Sequence, residues 1–245
     1  MDMNNTGTLQ QPISRVAITN AFLRSVYNWM ALGLGLTAVI SFALTYTSLN
    51  AFFFTPTGAI TSQGSLIGFG SIIAQLVLVF VLSLRIQKLS GQTATTIFLV
   101  YSALNGISLS FVLYAYSVGS VAQAFITATG MFGAMSLYGL YTKRDLTGMG
   151  SLLTMGLFGL IIAMIVNMFL GSSQMDWIIS IVGVLIFLGL TAYDTQFLKE
   201  MGESVPYDDA VAVRRGTIIG ALRLYLDFIN LFLMLLRLFG GSRDS

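Results

Sequence analysis

The sequence predicts an all-α polytopic membrane protein, and three observations carry that expectation. Only 9% of the 245 residues are charged, against 56% hydrophobic, whereas a soluble domain carries about 25% charged residues. Two stretches, 25–84 and 89–142, contain no charge at all. The three prolines, Pro12, Pro56 and Pro206, fall outside every long apolar run, as expected if those runs are helices whose interiors proline would break.

A transmembrane helix needs about 20 mostly apolar residues, so each uncharged stretch holds two. The first is broken by Thr47, Ser48, Leu49 and Asn50 and by Thr55, Pro56, Thr57 and Gly58, which read as loop. Helix 1 is then expected over 26–46 and helix 2 over 65–84. The second stretch divides near Ser117, Val118, Gly119 and Ser120, giving helix 3 over 94–116 and helix 4 over 121–141. Helices 5, 6 and 7 follow over 151–170, 177–197 and 217–238. The chain therefore reads as an N-terminal segment (1–24), a seven-helix membrane domain (25–240) and a short tail (241–245). Several glycines lie inside the spans, such as Gly33, Gly35, Gly156 and Gly159, and read as positions where helices approach closely in lipid. Trp29 and Trp177 sit near helix starts and read as interface anchors.

Lysine and arginine set the orientation. Arg15 and Arg24 precede helix 1. Arg85 and Lys88 fall between helices 2 and 3, Lys143 and Arg144 between 4 and 5, and Lys199, Arg214 and Arg215 between 6 and 7. The alternate loops have none, so the N-terminus is expected in the cytoplasm. Arg237 and Arg243 run against this pattern at the end of helix 7 and leave open a helix that re-enters the same face. The polar start, 1–20, lacks an apolar core after a basic region, so a cleaved signal peptide is not expected.

Composition also limits the chemistry. With no cysteine and no histidine, thiolate metal sites and the usual pH switch are excluded. No resident cofactor is expected. A formal charge of +2 provides no basic stripe for nucleic acid. Proton or ion chemistry is left to carboxylates, amides, hydroxyls and carbonyls.

Two carboxylates stand out because they lie inside spans. At about 1.5 Å per residue, Asp227 sits roughly 15 Å beyond Thr217, and Asp194 lies about 7 Å from Lys199. An aspartate near the bilayer centre costs about 2.5–3.5 kcal/mol on insertion scales and usually marks an ion or proton path. Helices 6 and 7 are consecutive and antiparallel, so both side chains can face one cavity. Two close carboxylates do not ionise independently. Such a pair can hold a shared proton and open when it is lost, which is a pH sensor without histidine. The plainer alternative is that each aspartate is simply buried and paired. Arg223 lies four residues before Asp227 on the same helix face and can neutralise it locally. Arg85 can reach Asp194 or merely extend to the interface. Asn230, three residues from Asp227, and Tyr193 and Gln196, beside Asp194, are candidates for lining a polar path. Gln75, Asn105 and Asn167 read as amides that bind neighbouring helices.

Three stretches carry a resemblance to a known family. They are Phe22 to Met30 (FLRSVYNWM), Thr191 to Gln196 (TAYDTQ) and Ala221 to Leu233 (ALRLYLDFINLFL). On them the chain resembles the Bax inhibitor-1, or transmembrane Bax inhibitor motif, family from about Phe22 to Gly240. The resemblance implies seven helices with the last one central and the other six around it. It implies a bacterial inner-membrane protein and a pH-sensitive calcium leak. Asp194 and Asp227 match the family's closing pair on helices 6 and 7. The family's latch is an arginine on helix 2, and Arg85 is the only arginine near that helix here. Arg223 is an added cation beside the pair, able to shift the pH of opening. Calcium, a hard cation taking 6–8 oxygen ligands, would pass as the transported ion. It would bind Asp194 and Asp227 weakly and transiently, as conduction requires.

Other functions remain open. An intramembrane aspartyl protease also needs two aspartates on adjacent helices, and Tyr193-Asp194 resembles half of the presenilin-type signature. Asp227 follows Leu-Tyr-Leu rather than Gly-x-Gly, so the other half is missing, and no enzyme is expected. A regulator that binds other membrane proteins, or a proton-coupled transporter, are further readings.

Overall fold

A computed structural model describes residues 15–240. The segment 1–14, with Pro12, and the tail 241–245, with Arg243, lie outside the described residues. Seven long helices follow in order: α1 (Arg15–Tyr46), α2 (Ser62–Arg85), α3 (Gly91–Ala115), α4 (Val118–Tyr141), α5 (Thr147–Leu170), α6 (Ser173–Ser204) and α7 (Ala210–Phe239). All seven are long and apolar enough to cross a membrane.

The helices start where short polar side chains can take up free N–H groups. Thr61, Ser90, Ser117 and Ser172 cap α2, α3, α4 and α6, and the Asp209 carboxylate accepts from the N–H groups of Val211 and Ala212 at the start of α7. Two connections are very tight, Tyr116–Ser117 between α3 and α4 and Gly171–Ser172 between α5 and α6. Gly171 has φ +63°, the left-handed conformation that ends a helix. Asp145 accepts from the side chain and N–H of Thr147, which holds its carboxyl below the usual range at the start of α5.

Helix ends differ from the hydropathy reading mainly by extension. Residues 15–24, expected to precede the first span, form the start of α1. There Thr19, Phe22, Leu23 and Val26 are buried while Arg15 and Arg24 stay exposed. This stretch is amphipathic rather than uniformly apolar, so a count of uncharged residues passes over it. The same holds for the end of α6, where Leu198 and Gly202 are buried while Glu200 and Glu203 are exposed. Helix α4 begins at Val118 rather than 121, because Ser117 serves as its cap. Helix α7 is one unbroken helix of 30 residues, which removes the re-entrant alternative.

Helix α7 is central. In their most apolar stretches, 72% of α7 residues are buried, against 11% for α5. It packs on α1, α3, α4 and α6, while α2 packs chiefly on α3 and α5 on α6. The resemblance had implied six helices around the last one. The inner ring has four, and α2 and α5 form an outer layer facing lipid. The contacts repeat: α1 on α3 and α4 on α6, α2 on α3 and α5 on α6, α1 and α4 both on α7. This is a three-plus-three arrangement about α7, with an added α1–α6 contact.

Small residues permit the closest crossings. A Cβ on Gly139 of α4 would strike the Ala192 carbonyl of α6, and one on Gly106 of α3 would lie 2.9 Å from the Thr37 carbonyl of α1. Gly33 packs on Phe98 and Gly156 on Ile186, but Gly35 and Gly159 face open space, so close packing accounts for only two of those four glycines. The amides mostly tie helices together. Gln75 Nε2 of α2 reaches Ser108 Oγ and the Leu104 carbonyl of α3 at 2.7 and 3.2 Å. Trp29 is half-buried, with the Arg214 guanidinium 4.3 Å from its ring centroid, while Trp177 is exposed at the opposite end.

Candidate functional site

Arg85, Lys88, Lys143, Arg144, Lys199, Arg214 and Arg215, in or flanking the α2–α3, α4–α5 and α6–α7 connections, mark one end of the bundle, here termed the basic end. The candidate site lies inside the bundle at the α6–α7 contact. Both aspartates are buried, with Asp194 7% and Asp227 5% exposed. Arg223 joins them from α7. Its Nη1 donates to Asp194 Oδ1 at 2.9 Å, and its guanidinium lies 4.6 Å from the Phe197 ring centroid. The Arg223 side chain is 40% exposed and that of Asp194 10%, so the pair sits at the edge of the packed core.

Asp227 has a different environment. Its Oδ2 is buried and has no hydrogen-bond partner among the described residues. Both Asp194 and Arg223 act on it electrostatically, with opposite signs. The sequence offered Arg223 as the neutralising partner of Asp227, one turn away. Instead Arg223 reaches across to α6 and pairs with Asp194. A direct ion pair thus bridges α6 and α7 beside their apolar packing, and one buried carboxyl is left next to it.

The other candidates divide. Arg85 is exposed at the end of α2 and makes no hydrogen bond or ion pair among the described residues; the cation at Asp194 comes from α7. Tyr193 turns towards α5, against Gly150, and makes no hydrogen bond to the ion pair; its ring centroid lies 6.3 Å from that of Phe197. Gln196 is spent on the α4–α5 connection, where its Oε1 accepts from Leu146 N–H and its Nε2 donates to the Arg144 carbonyl, both at 2.8 Å. Asn230 Nδ2 donates to the Leu226 carbonyl of its own helix at 2.8 Å. It is half-buried, seven residues from Arg223, and therefore on the same face of α7. Gly216, Ile219, Arg223, Leu226, Asn230 and Leu233 form one half-covered stripe along that helix.

Sequence reasoning missed two groups. Tyr27 Oη of α1 lies 3.3 Å from Thr195 Oγ1, next to Asp194, and Tyr27 also lines a cavity of about 800 Å³ at the basic end, between α1, α4 and α6. On the far side of α7, Thr37 Oγ1 donates to the Ser102 carbonyl at 2.7 Å and lies 2.7 Å from Tyr225 Oη. Its single proton is used, so the tyrosine donates to it. Only the position of Tyr225, two residues before Asp227, hinted at this link. No cluster of three or more histidine, cysteine, aspartate or glutamate side chains occurs among the described residues, so the pair is not a closed metal cage.

The chain is similar in sequence to a known family and to several bacterial proteins. The family model "Inhibitor of apoptosis-promoting Bax1" matches residues 19–244. The inner membrane protein YbhL of Escherichia coli (strain K12) is 49% identical over 223 residues, covering 91% of this chain and 92% of that protein. An uncharacterized protein of Borreliella burgdorferi is 44% identical over 237 residues, covering 97% of this chain and 99% of the relative. One from Deinococcus radiodurans is 41% identical over 237 residues, covering 97% and 96%.

Proposed function

The chain belongs to the Bax inhibitor-1 family of membrane proteins, and on that premise we propose that it is a pH-gated cation leak, with Ca²⁺ as the transported ion and Asp194, Asp227 and Arg223 as the gate. The observation that carries this reading is the Arg223–Asp194 ion pair with Asp227 buried beside it.

The argument is one of charge balance. With one proton on the two carboxyls, the site holds one negative and one positive charge, and α6 stays clamped to α7. Without that proton, two carboxylates face one guanidinium in a poorly solvated place. The excess negative charge opposes close packing and favours entry of water and a cation. Carboxylate and carbonyl oxygens suit a hard cation such as Ca²⁺, and two carboxylates bind weakly enough to let it leave. The half-covered stripe of α7 through Arg223 and Asn230 offers the route, and the cavity beside Tyr27 offers access from the basic end. We place the basic end in the cytoplasm. Arg85 has no part in this gate, since Arg223 supplies the cation from within the pair's own helix contact.

A protease dyad needs both carboxyls free to share a proton over a water molecule. Arg223 on Asp194 argues against that use. A regulator of other membrane proteins would have no need of a buried carboxyl pair with an arginine at its edge, although the fold would serve it equally well. Calcium entry into liposomes containing only the purified protein separates these readings. The leak reading expects flux without any partner or substrate gradient. A protein that conducts nothing alone would be an interaction partner instead.

A further inference from the structure

Among the described residues, the end of the bundle opposite the basic loops carries only two charges, Asp176 and Arg237. They line the same cavity, of about 780 Å³, formed where the ends of α3, α5 and α7 meet the start of α6. They do not pair with each other. Arg237 has no carboxylate partner among the described residues, and its Nη1 contact is Met164 Sδ at 4.0 Å. Asp176 is held in place by Asn167, whose Nδ2 donates to Asp176 Oδ1 at 2.7 Å. Asn167 is itself only 4% exposed and ties the α5–α6 connection through both its polar atoms.

A carboxylate in the first turn of a helix also complements the helix dipole. That role accounts for Asp176 alone. It does not account for an arginine in the same cavity that has no carboxylate partner among the described residues. A cavity that keeps opposite charges apart fits a ligand with opposite charges held apart. Arginine suits a phosphate, which its planar fork can bind through two hydrogen bonds. A carboxylate suits a primary ammonium. Trp177, 61% exposed beside Asp176, presents an indole of the kind that settles at headgroup level and attracts cations. Met164 and Met168 of α5 give the cavity an apolar wall that runs on to lipid-facing surface.

We propose that this cavity binds the headgroup of a zwitterionic phospholipid, with the phosphate on Arg237 and the amine on Asp176. The methionine wall selects a lipid over a free phosphoethanolamine, because only the lipid has chains to lay against it.

Binding of phosphatidylethanolamine and phosphatidylglycerol to the delipidated full-length protein in detergent, read by native mass spectrometry, tests the assignment. The wild type should bind phosphatidylethanolamine roughly two- to fivefold more tightly than phosphatidylglycerol, the range expected from one exposed charge contact. Asp176→Asn keeps the hydrogen bond from Asn167 and should lose that preference by weakening phosphatidylethanolamine alone. Asp176→Glu should restore it, and Arg237→Gln should weaken both lipids. An unchanged preference in Asp176→Asn, or a wild type that prefers phosphatidylglycerol, would overturn the proposal. Displacement of the lipid by soluble O-phosphoethanolamine at equal concentration would overturn the lipid assignment in favour of a free zwitterion. Unfolding temperatures without lipid separate a loss of fold from a loss of binding.

Discussion

Arg223 decides how the two aspartates differ. It donates to Asp194 from the edge of the core and leaves Asp227 without a hydrogen bond on Oδ2. Removing its charge by Arg223→Gln takes away the balance to the first carboxylate, so the proton is held to a higher pH. If opening follows proton loss, the midpoint of calcium flux should move to higher pH by roughly one unit or more. Fluorescence of a trapped calcium dye across a pH series reads this shift, and a midpoint moving to lower pH would contradict the assigned sign. On the other side of α7, Tyr225→Phe removes a single buried hydrogen bond to Thr37, whose own proton remains on the Ser102 carbonyl. Thermal unfolding in detergent should show a loss of about 0.5–1.5 kcal/mol. The aspartates were legible in the sequence because a carboxylate is costly, and therefore rare, in an apolar span. The partner of Arg223 was not. Spacing along one helix places Arg223 beside Asp227, but a long flexible side chain reaches a neighbouring helix equally well. Sequence holds no record of which contact the packing leaves open. For the same reason Gln196 read as a path residue although it fastens a loop.

At the scale of the helices, the close crossing of α4 on α6 sets the geometry behind the proposed gate. Gly139 lies against the Ala192 backbone, two residues from Asp194. Gly139→Ala should therefore force the helices apart and cost about 1–3 kcal/mol. Gly130→Ala, on the same helix in open space, should be neutral or slightly stabilising through better helix propensity. Equal losses in the two variants, measured by thermal unfolding, would deny that the crossing matters. The cores of all seven helices were legible because lipid demands long uncharged runs. Their ends were less so. The first turns of α1 bury Thr19 and Phe22 while displaying Arg15 and Arg24. Such a stretch counts as a polar segment until its periodicity is examined. The three-plus-three arrangement was likewise hidden, since related packing is met by different residues in the two halves.

Across the whole molecule, charge is distributed unevenly. Most of the lysines and arginines share one end, and the only charges at the opposite end among the described residues are Asp176 and Arg237. A central α7 that crosses in one piece places the two described chain ends on opposite faces. The sequence has no cysteine, so single cysteines report topology without background. In intact cells, an impermeant thiol reagent should label Gly58→Cys in the α1–α2 connection and should spare Arg144→Cys in the α4–α5 connection. The reverse pattern would invert the proposed orientation. The most direct test of the gate is calcium flux into proteoliposomes over a pH series for the wild-type protein, Asp194→Asn and Asp227→Asn. Flux should rise with pH in the wild type and lose most of that dependence in both variants. If both variants keep the wild-type pH profile, the carboxyl pair is not the gate.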